Sequence, residues 1–307
     1  MLLRHKSHNS LYFVLNQRVL FTMISFSAAY YSLQQYLKFL ARSKNQHGIH
    51  SPFVFELVTQ CFYVSAHYKD YDRLSKFRRE LTQSKAIIEV TDLGSGSRVG
   101  ELNKTNKKVQ SMLHHAGASK KRQGLLYRLG AYFKPQQVLE LGTHLGMGTT
   151  ALCLGAKPKR LITIEGCPKT AQFTQNNFEV WGSNNPELNA IELINNNFED
   201  FLKALHQDLN TLQDLKSARS SQNTFDLIYL DGHHDGPATL RYFESLKKYT
   251  HEKTILIIDD IYWSKGMSAA WQQIIKDPKV SVSIDIFFCG FLFFHPTQAK
   301  EDFVIRV

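Results

Sequence analysis

The chain has 307 residues, 43% of them hydrophobic, which is enough to bury a full core in one large domain with an appended segment. Cys61, Cys153, Cys167 and Cys289 form no CxxC pair and have no metal-ligand spacing, which excludes a thiolate metal site and a cysteine nucleophile and suits buried free thiols in a reducing cytoplasm. The net charge is +10, and much of the excess lies before residue 135, notably at Lys104, Lys107, Lys108, Lys120, Lys121 and Arg122. No aromatic residues interleave there, so a solvated basic face is expected rather than a nucleic-acid site.

Val19 to Leu37 carries no charge and follows Arg4, Lys6 and Arg18, the outline of a signal or membrane segment. Ser25, Ser27, Ser32, Gln34 and Gln35 dilute it, and with Met23 as an alternative start to Met1, YYSLQQYLKFL reads as an amphipathic helix. The expectation is a cytoplasmic chain that does not enter a membrane. From about residue 30 to 120 the pattern is mostly helical and polar, a helical extension over 1–120 ahead of a main domain over 121–307. Ser51 and Pro52 mark a helix start, serine at the N-cap and proline at N1, followed by FVFELVTQCFY. His47 and His50 flank that start and are read as fixing the turn rather than as ligands or bases. The segment HGIHSPF is expected to tie this helix down as a lid beside the strand ends, near Asp231 and Trp263. Glu89 to Gly100, EVTDLGSGSRVG, looks like a strand entering a glycine turn. The basic, helical-looking residues after it supply no second strand ending in an acid, so it is read as a structural turn.

After a helix, GLLYRLGAYF, and Pro135 comes the most informative stretch, QVLELGTHLGMGTT from Gln137 to Thr150. Val138, Leu139 and Leu141 form a buried strand closed by Glu140. Gly142, Gly146 and Gly148 let the backbone approach a ligand, and the following helix offers its N-terminal N–H groups. From Gly142 the pattern is GxxxGxG rather than the dinucleotide fingerprint GxGxxG, which favours another adenosine ligand over a nicotinamide cofactor. The next strand, RLITIE, ends in Glu165, where a doubly wound sheet lets an acid bond ribose hydroxyls. Strands then alternate with helices, through Ile191 to Ile194, TFDLIYLDGHH ending in Asp231, and TILIIDDIYW ending in Asp259 and Asp260. VSVSIDIFF, a turn at Cys289 and Gly290, and FLFFH read as a closing hairpin, and Ser217 to Asn223 as a polar loop. That alternation means an α/β fold with a mostly parallel sheet covered on both faces.

The motifs LELGTHLGMGT, LITIEGCP, TFDLIYLDGHH and TILIIDDIYW resemble those of class I S-adenosylmethionine (SAM) dependent methyltransferases, especially small-molecule O-methyltransferases related to catechol O-methyltransferase, over about residues 120 to 307. The whole chain, with HGIHSPFVFELVT and the ending FVIRV, is also similar to a bacterial group of class I methyltransferases. The resemblance implies a Rossmann-like seven-stranded doubly wound sheet of order 3-2-1-4-5-7-6, with Glu140, Gly142, Thr143, Gly146, Gly148, Glu165 and Asp231 about the cofactor. It also places Asn197, where the family often has an acid, at the adenine amine, an asparagine carbonyl being able to accept that bond.

Asp231, Asp259 and Asp260 fall at strand ends, and three such oxygens can hold a hard divalent cation. The catechol-type enzymes bind magnesium at matching positions, with asparagine where Asp260 stands. The competing reading has Asp259 at the cofactor edge and Asp260 capping the next turn. The family's lysine three residues after the first aspartate is His234 here, a candidate base, with His233 a weaker one; Tyr262 and Trp263 are candidate walls of an acceptor pocket. The expected function is SAM-dependent O-methylation of a small-molecule acceptor, by a chain whose oligomeric state, a homodimer included, the sequence leaves open. A non-catalytic ligand-binding or scaffold protein and a nicotinamide oxidoreductase are the alternatives.

Overall fold

The computed structural model describes residues 29–91, 104–214 and 224–307. Most of the uncharged N-terminal stretch, Gly94, Gly96 and Gly100, and the polar loop from Ser217 lie outside them. A helix over 29–42 (α1) opens the described chain. Then come α2 (Pro52–Leu57), a π-helical turn (Val58–Phe62), α3 (Asp70–Gln83), a two-stranded ribbon of β1 (Ile87–Thr91) and β2 (Lys104–Lys108), α4 (Val109–Ala116) and α5 (Lys120–Phe133). Ser51 caps α2 as expected, its hydroxyl accepting from the Val54 N–H at 3.5 Å. The lysine-rich stretch from Lys104, expected to be helical, begins as strand β2 and becomes helical only at Val109.

The main sheet starts at β3 (Gln137–Leu141) and continues through β4 (Arg160–Glu165), β5 (Ile191–Asn195), β6 (Leu227–Leu230), β7 (Ile255–Asp259), β8 (Val282–Asp285), β9 (Cys289–Phe293) and β10 (Glu301–Val304). Between them run α6 (Met147–Ala156), α7 (Pro168–Gly182), α8 (Phe198–Asp214), α9 (Gly236–Leu246) and α10 (Lys265–Ile274). The strands lie in the order β10-β8-β9-β7-β6-β3-β4-β5, so the expected 3-2-1-4-5-7-6 arrangement is present with an eighth strand, β10, added in parallel beside β8. Only β9 runs against the others, pairing antiparallel with both β7 and β8. The hairpin turn is at Ile286 to Phe288, earlier than expected. Cys289 and Gly290 are already strand residues, because Gly290 lets β9 pass under the Trp271 ring, which a Cβ would strike.

The central strands are apolar on both faces, as parallel strands covered twice must be. Val138, Leu161, Leu227, Tyr229, Ile255 and Ile257 face one core with α2, α5 and α6. Leu139, Ile162, Ile164, Ile228, Leu256 and Ile258 face the other, with Phe243, Leu246, Trp271 and Ile274 from α9 and α10. Each such side chain contributes about 1.5–3 kcal/mol by leaving water. The first core also contains Ile49, Val54, Leu57, Val58, Cys61 and Phe62, so the N-terminal extension shares the main core.

This placement corrects the lid expectation for residues 47 to 63. Phe53 packs edge-on against Phe293, and lines a cavity with Pro135, Gln136, Asp226 and Ile255, at the ends where β3, β6 and β7 begin. Asp231 and Asp259 stand at the opposite ends of those strands. At the far end, beyond β7, stands α1: Tyr31 donates to Ser268 Oγ at 2.7 Å, Arg42 to Tyr262 Oη at 3.2 Å, and Tyr36 and Phe39 pack on Phe287.

Candidate active site

The carboxyl edge of the sheet has two halves. In the first, β3 runs into Gly142 with φ 116°, and a Cβ there would collide with the Asp231 carbonyl oxygen, so only glycine lets β3 and β6 end this close together. The chain then turns through His144, at φ 49°, to Gly146, at φ 74°, which opens α6 without a side-chain cap. Glu165, at the end of β4, accepts from the His144 N–H at 2.8 Å and from the Cys167 N–H at 2.9 Å. Burial pushes its pKa up while the N–H donors of Cys167 and His144 pull it down. Each of its oxygens has a lone pair left for a hydroxyl. The sulfur of Cys167 in turn accepts from the Thr91 N–H at 3.3 Å, which sets β1 against this half.

Three expected residues here hold the frame together. Glu140 is fully buried under the turn, its Oε2 accepting from Thr163 at 2.6 Å and Thr149 at 2.5 Å, and burial raises its pKa to about 8. Thr143 bonds Thr163 hydroxyl to hydroxyl at 2.7 Å, so it too belongs to this internal network. Gly148 lies over Glu140, whose Oε1 would be 3.1 Å from an added Cβ. Asn197 caps α8, its side-chain carbonyl accepting from the Asp200 N–H at 2.8 Å, the bond an adenine amine was expected to make. His144, which sequence reasoning passed over, is held neutral: burial lowers its pKa to about 4.

The second half is built from charge. Tyr229 donates to Asp231 Oδ2 at 2.9 Å. Asp259 is 3% exposed, and Asp260 follows it with φ 51°, its N–H bonded to the Phe288 carbonyl at 2.7 Å. Both carboxylates meet Arg122, whose Nη1 is 2.6 Å from Asp259 Oδ2 and whose Nη2 is 2.5 Å from Asp260 Oδ1. The Phe288 ring lies 5.3 Å from the guanidinium carbon. Burial, then the carboxylates of Asp231 and Asp260, push the pKa of Asp259 up against the pull of Arg122, and the aspartates hold Arg122 firmly charged. His234 Nε2 stands 4.0 Å from Asp231 Oδ1 and 3.9 Å from Asp260 Oδ2, its ring 5.9 Å from that of Trp263.

These observations correct two expectations. The residues do not fit the expected magnesium site: Asp259 and Asp260 converge on a guanidinium, and among the described residues no group of three or more His, Cys, Asp or Glu side chains is arranged to hold a metal ion. Arg122, counted in the sequence with the solvated basic residues, points inward. Its pairing spans 137 residues, and the one local signal was its place in the first turn of a helix entering β3. Tyr262 is a packing residue, donating to Asp285 at 2.6 Å and stacking on Phe287, whereas Trp263 is 65% exposed beside His234. His233 is held by Tyr242 Oη at 2.8 Å, away from the candidate base role. All four cysteines are free and buried, and no described helix is long and apolar enough to cross a membrane.

Residues 139–261 match a family model described as a methyltransferase domain. Among solved structures the chain is similar to the SAH-bound methyltransferase PaMTH1 of Podospora anserina, at 15% identity over 80% of this chain and 97% of that one, with a TM-score of 0.50. It is also similar to TomG of Streptomyces achromogenes, an O-methyltransferase involved in tomaymycin synthesis, at 14% identity over 76% and 93%, with a TM-score of 0.47. An O-methyltransferase from Bacillus cereus matches at 16% identity over 78% and 97%, with a TM-score of 0.44. No curated protein matches the chain. At these identities the likeness to the first structure is one of fold, and the two lower scores carry no argument. The matched segment runs from β3 past β7 and contains the glycine turn, Glu165 and the three aspartates, so this part of the chain is similar to a methyltransferase domain.

Proposed function

We propose that this chain methylates a hydroxyl oxygen of a small-molecule acceptor, with His234 as the general base. The observation that carries the cofactor side is Glu165, fixed by two backbone N–H groups beside a turn in which Gly142 leaves room for no Cβ. Its free lone pairs suit the two ribose hydroxyls of SAM, and the uncapped start of α6 suits the methionine carboxylate. When bound, SAM supplies a methyl group on a sulfonium sulfur; transfer breaks the carbon–sulfur bond, forms a carbon–oxygen bond and leaves S-adenosylhomocysteine.

Such a donor needs little activation, so the chain's tasks are positioning and removal of the acceptor proton. His234 lies between Asp231 and Asp260, both within 4.0 Å of its Nε2, so an imidazolium formed there is stabilised by two carboxylates. Trp263 offers an exposed aromatic face next to that ring, a wall for an apolar or aromatic acceptor.

The test is calorimetry with SAM, S-adenosylhomocysteine and NAD, followed by a release assay for S-adenosylhomocysteine across a panel of phenols and alcohols. Binding of the first two and not the third, with turnover on a hydroxyl acceptor, is expected. Binding of NAD alone ends the proposal.

A further inference from the structure

Three carboxylates at the ends of adjacent strands need a counter-charge, and in this fold a side chain from another element supplies it. Ser119 caps α5, its hydroxyl accepting from the Arg122 N–H at 3.2 Å, and this fixes the turn from which the arginine projects. Its guanidinium spans Asp259 and Asp260 through separate nitrogens, at 2.6 and 2.5 Å, under the ring of Phe288. The side chain is 27% exposed and the Asp259 side chain 3%, so this is a largely dehydrated pair rather than a surface contact.

We propose that Arg122 is the resident cation of this site, filling the place for which a divalent ion would compete, so that the chain binds no magnesium or manganese there and methyl transfer requires none. A magnesium ion needs carboxylate oxygens at roughly 2.0–2.1 Å in near-octahedral array. One oxygen of each of Asp259 and Asp260 is already bonded to Arg122, and an ion entering beside the guanidinium would meet a like charge in a site of low dielectric. Removing the guanidinium leaves Asp231, Asp259 and Asp260 mutually repelling and open to a cation from solution. The ion-binding half of this inference does not depend on the proposed reaction; only its consequence for turnover does.

The experiment is calorimetric titration of the full chain, cleared of metal with chelator, with MnCl2 and MgCl2. No ion binding is expected for the wild type. Arg122→Ala and Arg122→Gln, checked for folding by circular dichroism, are expected to bind Mn2+ at least about tenfold more tightly than the wild type, and a second change, Asp259→Asn, to abolish the gain. Two results overturn the proposal: sub-millimolar ion binding by the wild type that Asp259→Asn removes, or folded Arg122 variants that bind no more tightly than the wild type. Should neither Arg122 variant fold, the wild-type titration and turnover in excess chelator decide, and binding or loss of turnover refutes it. Failure of the methyltransferase reading shows separately, as absence of SAM binding by the same wild-type sample.

Discussion

The two halves of the sheet edge are built by different means. From β3 to β5 the site is made of backbone: a glycine whose missing Cβ lets two strands close together, two N–H groups on Glu165, and a helix start, all within about 30 residues of sequence. At β6 and β7 it is made of charged side chains, and the group that balances them comes from α5, 137 residues before its partner. A backbone-built half tolerates no change of shape, whereas a charge-built half tolerates shape and depends on count and sign.

The sharpest way to break this comparison is Gly142→Ala. The new Cβ meets the Asp231 main chain, which cannot swing aside, at a φ of 116° that alanine avoids. A loss of about 3 kcal/mol or more in urea unfolding is expected, with loss of SAM binding. A variant as stable as the wild type means that the strand ends are not held by this approach.

The charge-built half predicts a chemical effect with little change in stability. His234→Gln should lower kcat on the order of 10²-fold, because the group that takes the acceptor proton is gone. Steady-state kinetics beside a urea unfolding curve checks this. An unchanged kcat in the variant assigns the proton transfer to another group.

Glu165→Ala is expected to weaken SAM by one to two powers of ten, about 1.4–3 kcal/mol, through the loss of its acceptor oxygens. It also strands the His144 and Cys167 N–H groups, so the unfolding transition has to be recorded beside the calorimetry. Unchanged affinity in a folded variant removes Glu165 from the site.

Legibility in the sequence follows the same division. The glycine spacing, the strand ending in Glu165 and the Ser51–Pro52 helix start could be read because each is set by residues a few positions apart, whereas the strand order came only from the family resemblance. Arg122 could not, since a cation in a lysine-rich run looks like its solvated neighbours until folding brings Asp259 to it. Glu140 and Thr143 were placed at the right turn but on the wrong side of it: nothing in LELGT says that the carboxylate turns inward to Thr149 and Thr163. The hairpin turn was displaced because Cys289 and Gly290 look like turn residues, while the tight packing of Trp271 is a tertiary fact. The strand β10 was read only as an ending, because a four-residue edge strand has no periodicity to speak of.

The smallest effect tests the internal network beneath the backbone-built half. Burial raises Glu140 from 4.5 to about 8, so across that window the native chain keeps a proton that the unfolded chain has released, and stability falls as pH rises. Burial lowers His144 from 6.5 to about 4, which works in the opposite sense: there the unfolded chain binds the extra proton, and stability rises with pH up to about 6.5. The two slopes oppose each other below 6.5, and between 6.5 and 8 the Glu140 contribution stands without that opposition. Glu140→Gln fixes the neutral form with nearly the same shape, so near pH 5 it should differ from the wild type by no more than about 1 kcal/mol. Its unfolding free energy should then lose most of the decline that the wild type shows from pH 6.5 to 8. Parallel pH profiles for the two proteins would mean that Glu140 is ionised in the native state, with Thr149 and Thr163 solvating a charge rather than holding a carboxylic acid in place.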